Sequence, residues 1–164
     1  MLTLLARFLA RPAVADAIIR RAQRTPYVDI TSANGIQTYM GRWWLFNRYD
    51  RPGGARFKFL PSIRVHHIMR EDRDRHLHDH PWNARTFILR GWYLEQLDDK
   101  GRKVHMREAG YTGRLLFGQY HRIAAVSAFG VWTIFITWRY RGTWGFRVNG
   151  RKVPWREYLE GGQE

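Results

Sequence analysis

The chain has 164 residues and a formal net charge of +14, and 24 of its 28 basic residues are arginine, so phosphate, nucleic acid or anionic lipid are candidate partners. Its length and its hydrophobic content of 45% predict one folded domain and exclude a disordered chain. It contains no cysteine, which excludes disulfides and thiolate metal sites, so any metal must be held by histidine, carboxylate or water.

The first 24 residues are predicted to be helical, with an apolar stripe on one side and arginines on the other. Pro12 is expected to divide them into two short helices or to begin the second one. We expect these helices to pack on the main domain or on a partner subunit, with an anionic membrane surface as the alternative. Arg7 and Arg11 interrupt the stripe, which argues against an export signal, and no apolar run is long enough to span a membrane. The stripe consists of Leu2, Leu5, Leu9 and Ala13.

Short β-strands separated by turns are predicted for the rest of the chain. The predicted strands are residues 27–30, 35–44, 57–60, 63–70, 103–108, 115–117, 122–126 and 131–140, and residues 86–96 are predicted to be rich in β structure. Ser32-Ala33-Asn34-Gly35 is typical of a tight hairpin turn, and residues 155–160 are predicted to form a closing helical turn. This pattern predicts an all-β antiparallel sandwich over residues 27–164, preceded by a helical extension over residues 1–26.

A histidine-rich stretch, Arg75 to Trp82, is the strongest functional signal in the sequence. His76, His78 and His80 alternate along it. If the stretch is an extended strand, their side chains share one face and Asp79 lies on the other. Grouped neutral imidazoles suit zinc, iron, copper or nickel. The alternative is a solvated histidine-rich turn that follows the charged residues 70–75.

The spacing around these histidines resembles the two short motifs of the cupin superfamily. The first motif, G-x5-H-x-H-x3-4-E-x6-G, is matched by His78, His80 and Gly91, and the second, G-x5-P-x-G-x2-H-x3-N, by Gly110, Gly118 and His121. The resemblance extends over residues 63–138, and the chain also looks like small cupin-like proteins of phage and prophage genomes, which have no settled activity. Four motif positions differ: Asp72 replaces glycine, Ala84 glutamate, Leu116 proline and Ala125 asparagine.

This resemblance implies an antiparallel double-stranded β-helix, the cupin jelly roll, in which His78, His80 and His121 meet at one metal. Fe(II) is the expected ion, with Mn, Ni or Zn as alternatives, and the site is similar to the three-histidine iron site of thiol dioxygenases. His76 is a candidate additional ligand or a base beside the metal. Asp79 is a candidate for orienting His78. Like many single-domain cupins, the protein is expected to be a homodimer.

Five further residues are candidates for binding substrate. Arg85, Arg90 and Arg122 are suited to clamping an anionic group, and for each of them a solvated outer position is the alternative. Tyr93 and Glu95 follow Gly91 with strand alternation, so one of them is a candidate for lining the cavity as an acid or base. The alternative for Glu95 is a surface position.

Three functional hypotheses follow from these observations. The first is a metal-dependent enzyme, an Fe(II) dioxygenase acting on a small anionic molecule. The second is a non-catalytic cupin that binds a sugar, nucleotide or nucleic acid through its arginines. The third is a phage-derived structural or assembly protein, whose aromatic strands and N-terminal helix contact other subunits. A cytoplasmic location in a bacterial host cell is expected for all three.

Overall fold

The computed structural model describes residues 1–31 and 37–161, so the predicted turn at residues 32–35 lies outside the described residues. The helices are α1 (Leu2–Leu9), α2 (Pro12–Ala22) and α3 (Trp155–Glu160). The strands are β1 (Tyr27–Thr31), β2 (Thr38–Phe46), β3 (Ser62–Ile68), β4 (Trp82–Arg90), β5 (Trp92–Gln96), β6 (Val104–Glu108), β7 (Thr112–Leu115), β8 (Arg122–Val126), β9 (Val131–Tyr140), β10 (Gly145–Val148) and β11 (Arg151–Pro154).

Two antiparallel sheets pack against each other around the core. The larger sheet has the strand order β1-β2-β3-β9-β4-β7, the smaller one has the order β6-β5-β8, and β10 and β11 form a separate hairpin. Side chains alternate across each strand, so each sheet turns one apolar face inward. The core contacts join the larger sheet to the smaller one through Ile68, Ile88, Val131, Tyr93 and Ile123. The predicted all-β jelly-roll class is therefore confirmed.

The chain passes from the larger sheet to the smaller one at Gly91, between β4 and β5. Gly91 has a φ of +79°, and a Cβ atom there would come within 2.4 Å of the carbonyl oxygen of Gly130. Only glycine combines this backbone conformation with so close an approach. Residues 86–96, predicted to be rich in β structure, therefore belong to two strands, because the chain must turn at Gly91 to change sheets.

The N-terminal helices lie against the outer face of the larger sheet. Ile19 of α2 packs on Leu89 of β4, and Asp16 forms an ion pair with Arg90. Pro12 is the first residue of α2, so it begins the second helix, which was one of its two predicted positions. Within residues 1–31 and 37–161, no helix is both long and apolar enough to cross a membrane.

Two assignments outside the histidine stretch also need correction. Residues 57–60 form turns rather than a strand, because the side-chain amide of Asn47 donates hydrogen bonds to the carbonyl oxygens of Phe57 and Leu60 at 2.9 and 3.0 Å. These local bonds replace a strand ladder. Residues 109–114, which lie between two predicted strands, include most of the regular strand β7. This strand pairs with β4 through Thr112 and Phe87.

Candidate metal centre

Three imidazoles converge where residues 76–80 meet His121. These residues are not the continuous strand that the sequence predicted, since only His78 forms strand bridges, to His121 and to Phe146. The backbone N–H and carbonyl of His78 pair with those of His121 at 2.9 and 3.0 Å. This bridge places the two side chains next to each other, and the ring of His80 is centred 5.1 Å from each of theirs. One ring nitrogen from each histidine lies within 4.8 Å of the other two.

The spacing of these nitrogens is suitable for a metal ion. The Nε2 atoms of His80 and His121 are 2.9 Å apart. Two ligands that bind one ion at right angles, each about 2.1 Å from it, are separated by about 3 Å. Ala84, at the glutamate position of the motif, is buried on β4 and has no ligand atom. Within the described residues, the candidate ligand set is therefore three imidazole nitrogens.

Glu95 orients His121 through a hydrogen bond to its Nδ1. It is buried on β5, and its Oε1 accepts a hydrogen bond from the Nδ1–H of His121 at 3.1 Å, while its Oε2 accepts one from Arg107 at 3.0 Å. Burial alone would raise the pKa of Glu95, but the bonds from His121 and Arg107 outweigh it and lower that pKa. An ionised Glu95 keeps the proton of His121 on Nδ1, which leaves Nε2 free to bind a metal.

The other two histidines are kept neutral by their surroundings. Burial lowers the pKa of His78 to about 4, although the Asp72 carboxylate, 3.8 Å from its Nδ1, opposes this shift. Burial also lowers the pKa of His80 well below its usual range, and the neighbouring His78 adds to the effect. Asp72, at the glycine position of the motif, accepts a hydrogen bond from the backbone N–H of Ile123 at 2.7 Å. Neutral imidazole is the form that binds metals.

His76 and Asp79 lie outside the histidine cluster. The Nδ1 of His76 is hydrogen-bonded to the hydroxyl of Tyr158 on α3 at 2.9 Å. The carboxylate of Asp79 accepts hydrogen bonds from the Gly145 backbone N–H and from Lys152, at 2.8 and 2.5 Å. The structure therefore gives His76 a contact with the C-terminal helix. Asp79 anchors the β10–β11 hairpin rather than orienting His78.

A cavity of about 540 Å³ lies between the two sheets and reaches the three histidines. Tyr93 lines it, as the sequence suggested, but Arg85, Arg90 and Arg122 are not among the described residues that line it. Arg85 bonds to Thr112, Arg90 pairs with Asp16 on α2, and Arg122 donates to backbone carbonyls. None of the three predicted arginines is therefore positioned to clamp a ligand in the cavity.

Sequence reasoning missed two cavity residues, Arg42 on β2 and Arg64 on β3; of the neighbours His66 and His67, which must face opposite ways on a strand, it is His66 that lines the cavity. Arg64 and His66 are almost fully buried. They alternate with Ile63 and Val65. A signal was therefore present in the sequence, as polar residues at positions 62, 64 and 66 that alternate with Ile63 and Val65. The pattern does not tell which of the two faces is turned inward.

Replacing His66 with leucine is expected to reduce the acid sensitivity of the metal-free protein. Burial, with Arg42 and Arg64, lowers the pKa of His66 well below 6.5. Below pH 6.5 the unfolded chain therefore takes up a proton that the folded chain excludes, and each such histidine costs up to about 1.4 kcal/mol of stability per pH unit. Urea unfolding at pH 7 and pH 5 should show a smaller loss in His66→Leu. The exposed control His105→Leu should lose as much as wild type, and equal losses in all three proteins would contradict the prediction.

Comparison with known proteins identifies the fold. No protein-family model matches the chain, and no curated protein is similar to it. A solved cupin-2 domain, Rru_A2000 from Rhodospirillum rubrum, matches it with a TM-score of 0.53 at 12% sequence identity, over 82% of this chain and 79% of that one. This chain has the cupin fold.

Two other solved structures with the same fold are of longer proteins. One is from a study of the DMSP lyases RdDddP and RnDddQII, with a TM-score of 0.54 at 15% identity over 76% of this chain. The other is Fe(II) HppE, with a TM-score of 0.51 at 17% identity over 71% of this chain. The cupin-fold chain spans only 62% and 57% of these two proteins. At such identities the likeness shows a common fold and not a common activity.

Proposed function

We propose that this cupin-fold protein binds a divalent metal, with Fe(II) as the expected ion, through His78, His80 and His121. The proposed activity is that of a dioxygenase acting on a small anionic molecule. The observation that carries the proposal is the convergence of three imidazole nitrogens at the wall of a cavity of about 540 Å³. Three protein ligands leave open positions on an ion, and a bound iron would supply Lewis-acid and redox chemistry there.

The surrounding residues support this role. Glu95 orients the ring of His121, and burial lowers the pKa values of His78 and His80, so these two imidazoles are ready to bind without first losing protons. The rings of Trp144 and Phe146, centred 6.1 and 6.0 Å from the ring of His78, line the cavity beside the cluster. Fe(II) HppE, an iron protein with this fold, supports the choice of iron.

Elemental mass spectrometry of the untagged protein tests the metal site. Wild type, purified or reconstituted under anaerobic conditions, is expected to carry nearly one ion per chain. The double variant His80→Ala/His121→Ala is expected to carry none, because a single remaining imidazole cannot hold the ion against dilution. His105→Ala, which removes an exposed histidine on β6, is the matched control and should retain the metal. No metal in wild type after reconstitution would overturn the proposal.

Oxygen consumption then tests the reaction. Iron-loaded wild type is expected to consume oxygen when supplied with a member of a panel of small carboxylates and phosphonates. The His80→Ala/His121→Ala variant should not. Stoichiometric iron without oxygen uptake across the panel would favour the non-catalytic hypothesis, in which the cavity binds a ligand without turnover.

A further inference from the structure

Buried hydrogen-bond donors without acceptors line the part of the cavity next to β2 and β3. Within residues 1–31 and 37–161, the buried side-chain atoms without a partner on residues that line the cavity are the Nε of Arg42, the Nε and Nη2 of Arg64, the Nε2 of His66, the Nε of Arg70 and the Nε1 of Trp82. Buried polar atoms in folded proteins nearly always have partners, because a donor removed from water without an acceptor lowers stability. Apart from the Nε2 of His66, whose role depends on its tautomer, every one of these atoms is a donor, so the missing partner must supply acceptors.

Arg64 has two buried hydrogen-bond donors that lack an acceptor. Its side chain is fully buried, and its Cζ lies 5.1 to 5.2 Å from the centres of four aromatic rings. Its Nη1 donates to the hydroxyl of Tyr49. Nε and Nη2 remain, and together they form one edge of the planar guanidinium. An edge of this kind binds a carboxylate or phosphoryl group through two parallel hydrogen bonds.

No carboxylate of the described chain fills this position. The nearby Asp50 accepts a hydrogen bond from the indole of Trp44 at 3.1 Å and is paired with Arg48. Arg42 adds a second positive charge beside Arg64. Burial, together with the smaller effect of the charge of Arg64, lowers the pKa of Arg42 to about 10. Two partly desolvated positive charges side by side favour the binding of an anion.

Two aromatic rings connect the arginines to the histidine cluster. The ring of Trp82 is centred 5.1 Å from the Cζ of Arg64 and 6.1 Å from the ring centre of His80. The ring of Phe135 is centred 5.2 Å from the same Cζ and 6.4 Å from His80. A molecule whose anionic end lies on Arg64 therefore has an apolar wall leading directly to the histidines.

We infer that Arg64 and Arg42 form a subsite for the oxyanion head group, carboxylate or phosphoryl, of a small organic molecule. Its apolar body lies along Trp82 and Phe135, and its other end faces the three histidines. The volume of about 540 Å³ is within the usual range for sites that enclose such molecules. Only the statement that this molecule is the substrate of the metal site rests on the proposed function; the oxyanion subsite itself does not.

Calorimetric titration of the full-length, chelator-treated protein tests the subsite without any metal. The probes are benzoate, phenylphosphonate and neutral benzamide, which has the shape of benzoate without its charge. At least one anion is expected to bind wild type, and benzamide is not. Arg64→Met should weaken anion binding by about tenfold or more, because it removes a two-bond charged contact. Arg102→Met, which removes an exposed arginine and changes the net charge equally, is the control and should bind like wild type.

Two further measurements separate this inference from its alternatives. Arg64→Met is expected to melt at a higher temperature than wild type in anion-free buffer, since it replaces a buried charge that has no ion-pair partner among the described residues with an apolar side chain. If Arg64→Met does not fold, Arg64→Lys retains the charge without the planar edge and should still bind anions about tenfold more weakly. The titrated protein contains no metal, so failure of the metal proposal leaves this result intact. Equal binding of benzoate and benzamide, or unchanged binding in both Arg64 variants, would overturn the inference.

Discussion

Replacing Asp79 with alanine is expected to lower the free energy of unfolding by about 3 kcal/mol. Asp79 is 1% exposed, and its carboxylate binds the Gly145 backbone N–H and the Lys152 ammonium. Alanine would leave a buried N–H without an acceptor and Lys152 without its counter-charge. Urea unfolding at neutral pH measures this loss. Because the β10–β11 hairpin carries Phe146, which lies beside His78, weaker metal binding should accompany the loss.

The same hairpin provides a matched control for this prediction. Asp99 pairs with Arg147 of β10 at 3.0 Å, but its side chain is 52% exposed. Solvent screens such a pair, so Asp99→Ala should cost no more than about 0.5 kcal/mol. Asp79→Asn, which retains an oxygen that can accept from Gly145, should lie between the two alanine variants. If Asp79→Ala and Asp99→Ala unfold at the same urea concentration, the buried contact is not a principal anchor of the hairpin.

Replacing Glu95 with alanine is expected to weaken metal affinity by about 10- to 100-fold. The carboxylate of Glu95 holds the Nδ1–H of His121, which fixes both the ring orientation and the tautomer that presents Nε2 to the ion. Without it the His121 ring can rotate, and the proton can move to Nε2, where it blocks coordination. Competition titrations with Zn²⁺ or Co²⁺ against a coloured chelator measure the affinity of the folded protein directly.

The charge of Glu95 and its effect on the orientation of the His121 ring can be tested separately. Glu95→Gln retains an acceptor for the Nδ1–H but removes the charge, so its affinity should lie between those of wild type and Glu95→Ala. Glu108→Ala removes an exposed acid on the neighbouring strand β6 and should leave the affinity unchanged. An unchanged affinity in Glu95→Ala would mean that His121 is oriented by its backbone alone or does not bind the ion.

Local pattern in the sequence predicts much of this protein. Alternating apolar residues and frequent turn residues predict an all-β antiparallel fold, and the resemblance to the two cupin motifs implies that His78, His80 and His121 lie together. The structure confirms the fold and the grouping. The fold could be predicted because strand alternation is a property of the backbone itself. The grouping could be predicted because the resemblance to the cupin motifs implies which strands are neighbours. Metal binding by these histidines remains a prediction.

Other features are decided only by tertiary packing. Alternation also grouped His76 with His78 and His80, but the chain before His78 is not a regular strand, and His76 contacts α3 instead. Likewise, the sequence pointed to Arg85, Arg90 and Arg122 for anion binding, whereas Arg42 and Arg64 line the cavity. These outcomes have one physical reason. Alternation separates the two faces of a strand, but which face is buried depends on the sheet or helix that packs against it, which a single strand does not encode.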